Sequence, residues 1–142
     1  MTFQLLATLC AAIFAGAAVY INVVEHPARM SLGPAVALAE WRPAYQRATL
    51  MQAPLAIIGL VSAIIAWSSG SGTPWLLGGI LLGAVVPFTL VVAFPTNKRL
   101  MDPAAEHDLT TVVALLRRWN RLHAVRSVLS VAALLVFLSV AR

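Results

Sequence analysis

The sequence of 142 residues contains a single cysteine, Cys10, and few charged side chains. Because one thiol cannot form an intrachain disulfide or a multi-cysteine metal site, both of these features are excluded. Charged residues make up 11% of the chain and hydrophobic residues 61%, and the mean hydropathy is +0.88. These values lie outside the usual range of soluble domains and indicate an integral membrane protein.

Motifs of several common enzyme chemistries are also missing. The sequence has no HExxH, no CxxC, no Gly-rich phosphate loop, no Ser-His-Asp set and no repeated carboxylate-histidine motif of the di-iron type. Lysine and arginine number 10 against 5 acidic residues, which gives a net charge of +5. We attribute this basic excess to the membrane surface and expect no nucleic-acid partner.

Four apolar windows predict four membrane spans, at about residues 3–24, 48–69, 75–94 and 122–140. At about 1.5 Å rise per residue, a window of this length covers roughly the 30 Å hydrocarbon core. The first window could instead be a signal peptide, but it has no basic residues before its apolar run. We therefore predict an all-α fold, a single four-span membrane domain over residues 1–142 that forms a four-helix bundle.

The basic residues favour one orientation of this bundle. The first and third connections carry most of them, namely Arg29, Arg42, Arg47, Lys98, Arg99, Arg117, Arg118 and Arg121. Only Arg142 marks the opposite side. The positive-inside rule then makes both long connections cytoplasmic and both termini external, in the plasma membrane or, in a bacterium, the inner membrane. Residues 103–140 are predicted to form one helix, capped by Asp102, whose first turns extend into the cytoplasm.

Polar residues collect at the cytoplasmic ends of three predicted spans, and each group lies on one helical face. The groups are Asn22, Glu25 and His26; Tyr45, Thr49 and Gln52; and Asn120, His123, Arg126 and Ser127 beside Trp119. We predict that they form one pocket, with an ion pair between Glu25 and Arg126. Ionisable groups at this depth are costly unless paired or hydrated, so they are candidates for function. Solvated interface residues and satisfied core histidines are the structural alternative.

Two chemistries fit these residue types. His26, His123 and Glu25 supply the two imidazoles and one carboxylate that non-haem iron or zinc accepts, and paired histidines also ligate haem in membrane bundles. Alternatively, a histidine abstracts a proton from a phenol or enol and Arg126 stabilises the anion, which needs no cofactor. The cofactor therefore stays unknown from the residues alone.

A weak internal repeat relates the two halves of the chain. The segment VVEHPARM at 23–30 resembles VVAFPTNKRLM at 91–101. In each half a tryptophan follows, then a ring four residues later and a hydroxyl eight residues later: Trp41, Tyr45 and Thr49 in the first, Trp119, His123 and Ser127 in the second. Chance similarity between apolar segments is the alternative to a duplication.

Four segments of the chain, FAGAAVYINVVEHPARM, WRPAYQRATLMQAPLA, FPTNKRLM and WNRLHAVRSVLS, resemble the anthrone oxygenase-like family of small four-span membrane proteins. The resemblance covers nearly the whole chain. It implies dioxygen chemistry at an electron-rich hydroxyaromatic carbon, because fungal members are associated with oxidation of anthrones to anthraquinones. Carried over by motif position, it adds Asn97 to the polar residues above.

The leading hypothesis is a membrane oxidoreductase or oxygenase that acts on a lipophilic hydroxyaromatic, anthrone- or quinol-like substrate. Its catalytic residues would be His26, His123, Arg126 and Glu25. Its substrate-binding residues would be Asn22, Tyr45, Thr49, Gln52, Asn97, Trp119, Asn120 and Ser127. The alternative is a non-enzymatic bundle that binds lipid or quinone or scaffolds a membrane partner. Glycines such as Gly78, Gly79 and Gly83 could pack within one chain or in a homo-oligomer.

Overall fold

A computed structural model describes residues 1–140, and within them the chain is helical apart from short turns. Helix α1 (Thr2–Tyr20) passes through a π-helical turn (Ile21–Glu25) into α2 (His26–Ser31). Helix α3 covers Pro34–Ala66 and ends in a second π-helical turn (Trp67–Ser71). The third rod comprises α4 (Thr73–Gly83), α5 (Val85–Phe88), a third π-helical turn (Thr89–Ala93) and α6 (Phe94–Met101). After a 3₁₀ turn (Pro103–His107), α7 covers Leu109–Val140.

Four helical rods, Thr2–Ser31, Pro34–Ser71, Thr73–Met101 and Leu109–Val140, are long and apolar enough to cross a membrane. Their outer surface is rich in exposed aliphatic side chains such as Leu5, Val23 and Val128. Such a surface is stable in lipid and not in water. The predicted all-α membrane bundle is confirmed, and Arg142, which was used for the orientation, lies outside the described residues.

The rods extend beyond the predicted spans. The stretch between the first two spans, predicted as a long polar connection, is helical except at Leu32 and Gly33. Gly33 has a φ of 86°, a left-handed value that favours glycine, and the chain reverses there. Helix α3 has 33 residues, so at about 1.5 Å per residue it is roughly 50 Å long and exceeds a hydrocarbon core.

The start of the fourth rod differs from the single helix predicted over 103–140. Asp102 caps only a 3₁₀ turn, through a 2.9 Å hydrogen bond from the Ala104 amide. Asp108 begins α7 instead, and its carboxylate accepts hydrogen bonds from the amide and hydroxyl of Thr111. These bonds hold the pKa of the exposed Asp108 carboxyl below its ordinary value. The long helix therefore starts six residues later than the sequence predicts, at Leu109.

Each of α1 and α4 packs against both α3 and α7, which gives an up-down-up-down bundle. Glycines allow the closest approaches. A Cβ at Gly78 would lie 2.4 Å from the Phe137 ring, and one at Gly79 would lie 2.7 Å from the Ala63 Cβ. A Cβ at Gly83 would likewise lie 2.7 Å from a Leu60 Cδ atom. The small-residue face of the third rod is therefore used for packing within the chain.

Two of the three π-helical turns, the first and the third, lie just before a proline. Pro27 follows Ile21–Glu25 by two residues, and Pro95 stands in the same relation to Thr89–Ala93. Proline has no amide hydrogen and its ring clashes with the carbonyl four residues earlier, so the preceding turn widens. The same local structure thus recurs in both halves, at the segments that the sequence repeat relates.

Two apolar clusters fill the bundle. One contains Phe14, Trp75, Leu82 and Phe137 near the chain termini, and the other contains Leu38, Trp41, Leu100 and Leu116 near the Gly33 turn. Along α3 the stretch from Tyr45 to Gln52 lies between the two clusters, and along α7 the stretch from His123 to Ser130 does so. A polar layer therefore separates two hydrophobic cores.

Candidate functional site

Aromatic rings line the polar layer on the side of the Gly33 turn. Trp41 stacks on Tyr45 with ring centroids 4.9 Å apart, and Trp119 stacks on His123 at 5.0 Å. Each pair is four residues apart on one helix, so the rings overlap on the same face. The two tryptophans meet edge to face at 5.7 Å, which joins α3 to α7. The His26 ring lies 6.0 Å from Trp119.

The two predicted histidines are both buried, with 5% of His26 and 3% of His123 exposed. Both ring nitrogens of His123, and Nδ1 of His26, are buried and make no hydrogen bond of standard geometry among residues 1–140, although the Ala18 backbone lies close to the His123 ring. Unsatisfied buried polar atoms are rare in proteins, and each requires a reason. An imidazole with free nitrogens can accept or donate a proton to a bound molecule.

The predicted ion pair between Glu25 and Arg126 is wrong. Glu25 pairs with Arg29, one helical turn later, and Glu40 of α3 pairs with the same guanidinium. Arg29 is 3% exposed and lies 5.7 Å from the centroid of the Trp119 ring. The spacing of four residues favours this local pair over one between distant spans. Glu25 thus neutralises a buried arginine of its own helical rod.

Arg126 has no carboxylate partner among the described residues. Its Nη2 donates a 2.6 Å hydrogen bond to the Gln52 side-chain oxygen, and its guanidinium lies 5.6 Å from the Phe14 ring centroid. Its Nε is buried without a partner. A cation held by a neutral amide and an aromatic face keeps a net positive charge in the polar layer.

Asn22, Asn120 and Ser127 form a closed hydrogen-bond network between the first and fourth rods. The Asn22 amide donates to the Asn120 side-chain oxygen at 2.7 Å and to its backbone oxygen at 3.0 Å. The Ser127 hydroxyl donates to the Asn22 oxygen at 2.5 Å. Because these groups satisfy one another and do not line the cavity described next, their geometry favours a role in helix association over substrate binding.

A narrow cavity opens beside this network, enclosing about 280 Å³ when the space at its mouth is included. Its lining includes seven of the predicted site residues: Glu25, Tyr45, Thr49, Gln52, Trp119, His123 and Arg126. The free room inside is that of about one water-sized molecule. His26, Asn22, Asn97, Asn120 and Ser127 lie outside its lining.

Asn97 acts on the cavity through Tyr45. Its side-chain amide donates a 3.1 Å hydrogen bond to the Tyr45 hydroxyl oxygen, which leaves the phenol proton free for another acceptor. The Thr49 hydroxyl is bonded to the Tyr45 backbone carbonyl at 2.9 Å, so it is already engaged within α3. The geometry therefore favours Tyr45 over Thr49 as a donor to a ligand.

The arrangement of His26, His123 and Glu25 does not fit a metal-binding site. No group of three or more histidine, cysteine or acidic side chains among residues 1–140 is arranged to hold a metal ion. The Glu25 carboxylate, one of the three predicted ligands, is engaged by Arg29. The Trp119 ring lies against both imidazoles. We therefore derive no step through a metal bound by His26, His123 and Glu25.

Three features of the site were missed by sequence reasoning. Arg29 was assigned to a solvated connection, yet it is buried, and its spacing from Glu25 was the available signal. Phe14, which faces Arg126, was read as part of an apolar span. Glu40 gave no signal, because its contact with Arg29 depends on how α2 packs on α3.

Comparison with known proteins agrees with the family resemblance seen in the sequence. The family model described as anthrone oxygenase matches residues 41–136, which include Tyr45, His123 and Arg126 but not His26. Anthrone oxygenase tpcL of Aspergillus fumigatus is 39% identical over 75 residues, which cover 50% of this chain and 46% of that protein. Anthrone oxygenase dmxR16 of a Cryptosporiopsis species is 30% identical over 128 residues, 85% of this chain and 75% of that protein.

No solved structure matches the chain. The chain is aligned to less than half the length of the Aspergillus fumigatus relative, and to three quarters of the Cryptosporiopsis relative. The family model covers more than half of the chain, with most of α3 and α7 inside the matched range. The chain therefore belongs to the anthrone oxygenase family.

Proposed function

We propose that this protein is a membrane-embedded oxygenase that converts a lipophilic hydroxyaromatic substrate of the anthrone type to the corresponding quinone. One observation carries the proposal: the buried His123 imidazole, whose nitrogens make no hydrogen bond of standard geometry, and the uncompensated Arg126 cation line the same cavity. A base beside a fixed positive charge suits removal of the hydroxyl proton from the enol form of such a substrate, because the cation then holds the resulting anionic oxygen.

The reaction balances without an external reductant. An anthrone methylene loses two hydrogens and gains one oxygen atom from dioxygen, and the second oxygen atom leaves as water. Oxidising that carbon to a carbonyl supplies four electrons, which is what the reduction of one dioxygen consumes. The protein then has to form and hold the substrate anion and give dioxygen access to it.

The residues take the following parts in this proposal. His123 takes the proton, Arg126 holds the anionic oxygen, and Tyr45, fixed by Asn97, donates a second hydrogen bond to the same oxygen. Trp119 stacks on the His123 ring, and His26 lies against Trp119. Glu25 keeps Arg29 neutralised, so that Arg126 is the cation available to the substrate.

The first test replaces the proposed base. We expect His123→Ala to lower the rate of quinone formation from anthrone by about 100-fold or more, the contribution that a positioned base commonly makes. Dioxygen uptake and quinone absorbance would be measured together on protein in lipid nanodiscs, with protein-free nanodiscs subtracted for spontaneous oxidation. His107→Ala is the matched control, because His107 is an exposed histidine outside the cavity.

Equal rates for the wild type, His123→Ala and His107→Ala would contradict the proposed role of His123. A wild-type protein that binds anthrone but consumes no dioxygen above the protein-free rate would contradict the oxygenase proposal itself. That second result would favour a non-enzymatic bundle that binds lipophilic aromatics.

A further inference from the structure

A second, larger chamber lies behind the narrow cavity and shares one wall with it. It encloses about 480 Å³, including its open mouth. Its shared wall consists of Tyr45, Thr49, Gln52 and Arg126. The rest of its lining is mostly apolar, with Phe14, Val85, Val86 and Leu90 among its members. A mostly apolar space with a few converging polar groups is the usual form of a small-molecule site.

The mouth of this chamber faces the lipid. Its outermost lining residues lie on α3, where Thr49 is exposed and Ala53 partly exposed, and in the π-helical turn Thr89–Ala93, where Leu90 is 65% exposed. From this exposure we infer that the mouth opens between α3 and the third rod, beside Ala53 and Leu90. Both residues are inside rods that are apolar enough to cross a membrane. Pro87 and the π-helical turn after it interrupt the regular helix here, and this part of the third rod contacts α3 much less than α4 does.

The shared wall offers hydrogen-bond donors. Gln52 is 1% exposed, its oxygen accepts from Arg126, and its amide nitrogen has no partner among residues 1–140. The Arg126 Nε is likewise buried and unpartnered. The Tyr45 hydroxyl accepts from Asn97, so its proton is free. The shared wall therefore holds three donors, one of them charged, and contains no carboxylate. This arrangement favours binding of an anionic or strongly accepting oxygen.

The sizes of the two cavities indicate that an aromatic ligand would bind in the larger chamber. The narrow cavity has room for about one water-sized molecule, so an aromatic ring system cannot occupy it. The larger chamber is bordered by the Phe14 and Tyr45 rings, which suit contact with an aromatic ligand.

We propose that the larger chamber takes an aromatic ligand with an ionisable hydroxyl group, which enters sideways from the bilayer between Ala53 and Leu90. Its oxygen then lies on Arg126, Gln52 and Tyr45, at the boundary with the narrow cavity that contains His123. This inference rests on the proposed function for the identity of the ligand as substrate, but the binding site itself can be tested without turnover.

The test measures binding without oxygen. The probe is 2-hydroxyanthraquinone, already a quinone, compared with unsubstituted anthraquinone, which has no hydroxyl to ionise. Binding to the protein in nanodiscs would be followed by titration, and the phenolate absorption band of the bound probe would be recorded at neutral pH. Nanodiscs without protein give the correction for partition into lipid.

Two kinds of variant separate the mouth from the donor wall. Ala53→Phe should fill the mouth and weaken binding of both probes by about 10-fold or more, a loss of the size that one buried aromatic contact can cause. Ile57→Phe is its control, since Ile57 is exposed on the same helix and outside the chamber lining. Arg126→Gln should weaken the hydroxylated probe about 10- to 100-fold, abolish its phenolate band and leave anthraquinone nearly unchanged.

Gln52→Leu keeps the arginine but removes one donor of the wall and the acceptor that holds Arg126, so it should weaken binding of the hydroxylated probe by a few-fold. This variant tests the donor wall even if Arg126→Gln fails to fold. Equal binding to Ala53→Phe and Ile57→Phe would overturn the lateral entrance. The donor wall would be overturned if Arg126→Gln weakened binding of both probes equally and Gln52→Leu bound the hydroxylated probe as tightly as the wild type. Probe binding without dioxygen uptake would refute only the oxygenase, whereas uptake with an unchanged KM in Ala53→Phe would refute only the chamber.

Discussion

Polar side chains inside this bundle divide into two groups according to their hydrogen bonds. Asn22, Asn120 and Ser127 satisfy one another between the first and fourth rods. His123 and Gln52 instead carry buried nitrogens without partners, and both line the narrow cavity. A hydrogen-bonded polar group stabilises helix association. A buried group without a partner destabilises the folded protein until a ligand supplies the missing hydrogen bond.

Removal of the central member of the satisfied network should lower stability. We expect Asn22→Ala to reduce the free energy of unfolding by about 1–2 kcal/mol, in the upper range for hydrogen bonds between membrane helices, because it leaves both Asn120 and Ser127 unpaired. The measurement is SDS-induced unfolding in bicelles. Ser139→Ala should change little, since Ser139 is exposed and bonds only to its own helix. Equal losses in the two variants would contradict a structural role for the network.

At the scale of the helix, proline and glycine decide where the rods widen and where they touch. Pro27 and Pro95 each follow a π-helical turn, and each turn is followed by residues that contact the polar layer: Arg29 in one half and Asn97 in the other. The stacked pairs Trp41–Tyr45 and Trp119–His123 also correspond between the halves. These matches in local structure support the internal repeat that the sequence suggests.

Glycine packing makes a prediction for the contact between α3 and α4. Gly79→Ala would place a Cβ 2.7 Å from the Ala63 Cβ, and neither atom belongs to a flexible side chain that could move aside. We expect the unfolding free energy of Gly79→Ala to fall about 1–3 kcal/mol below that of Gly16→Ala. Gly16 is the control because a Cβ there meets nothing within 4 Å. If Gly79→Ala and Gly16→Ala unfolded at the same SDS fraction, the second and third rods would accommodate the added Cβ without loss of stability.

For the whole molecule, the antiparallel arrangement places both termini at one end of the bundle and the Gly33 turn at the other. The polar layer lies nearer the Gly33 end, between the two apolar clusters. Most basic residues lie toward the same end, among them Arg42, Arg117 and Arg118. From this distribution we predict that the narrow cavity lies on the cytoplasmic side and that both termini are external.

Single-cysteine labelling tests this orientation. In a Cys10→Ala background, Ser69→Cys in the turn after α3 should react with a membrane-impermeant maleimide added outside intact cells. Ala104→Cys in the 3₁₀ turn should react only after the cells are opened. Both positions are exposed, so both should react fully in detergent. The reverse pattern of labelling would place the termini inside the cell.

Some of the site could be predicted from the sequence, because helical periodicity fixes which side chains share a face. It brought Tyr45 and Gln52 onto one face of α3, and His123 and Arg126 onto one face of α7, and all four line the narrow cavity. The predicted partner of Glu25 was wrong although the same periodicity favours Arg29, four residues later on the same rod, which is the partner that the structure contains.

The sequence alone determined the membrane class, the four spans and the family, since each follows from local composition or from motifs within one segment. Only the tertiary structure decided which buried groups are satisfied, because a hydrogen bond between rods depends on their rotation and spacing. Thus Asn22 has partners and His123 has none, although both were predicted as site residues. The larger chamber also arises only from packing, since its lining combines α1, α3, α7 and the part of the third rod that makes few contacts with α3.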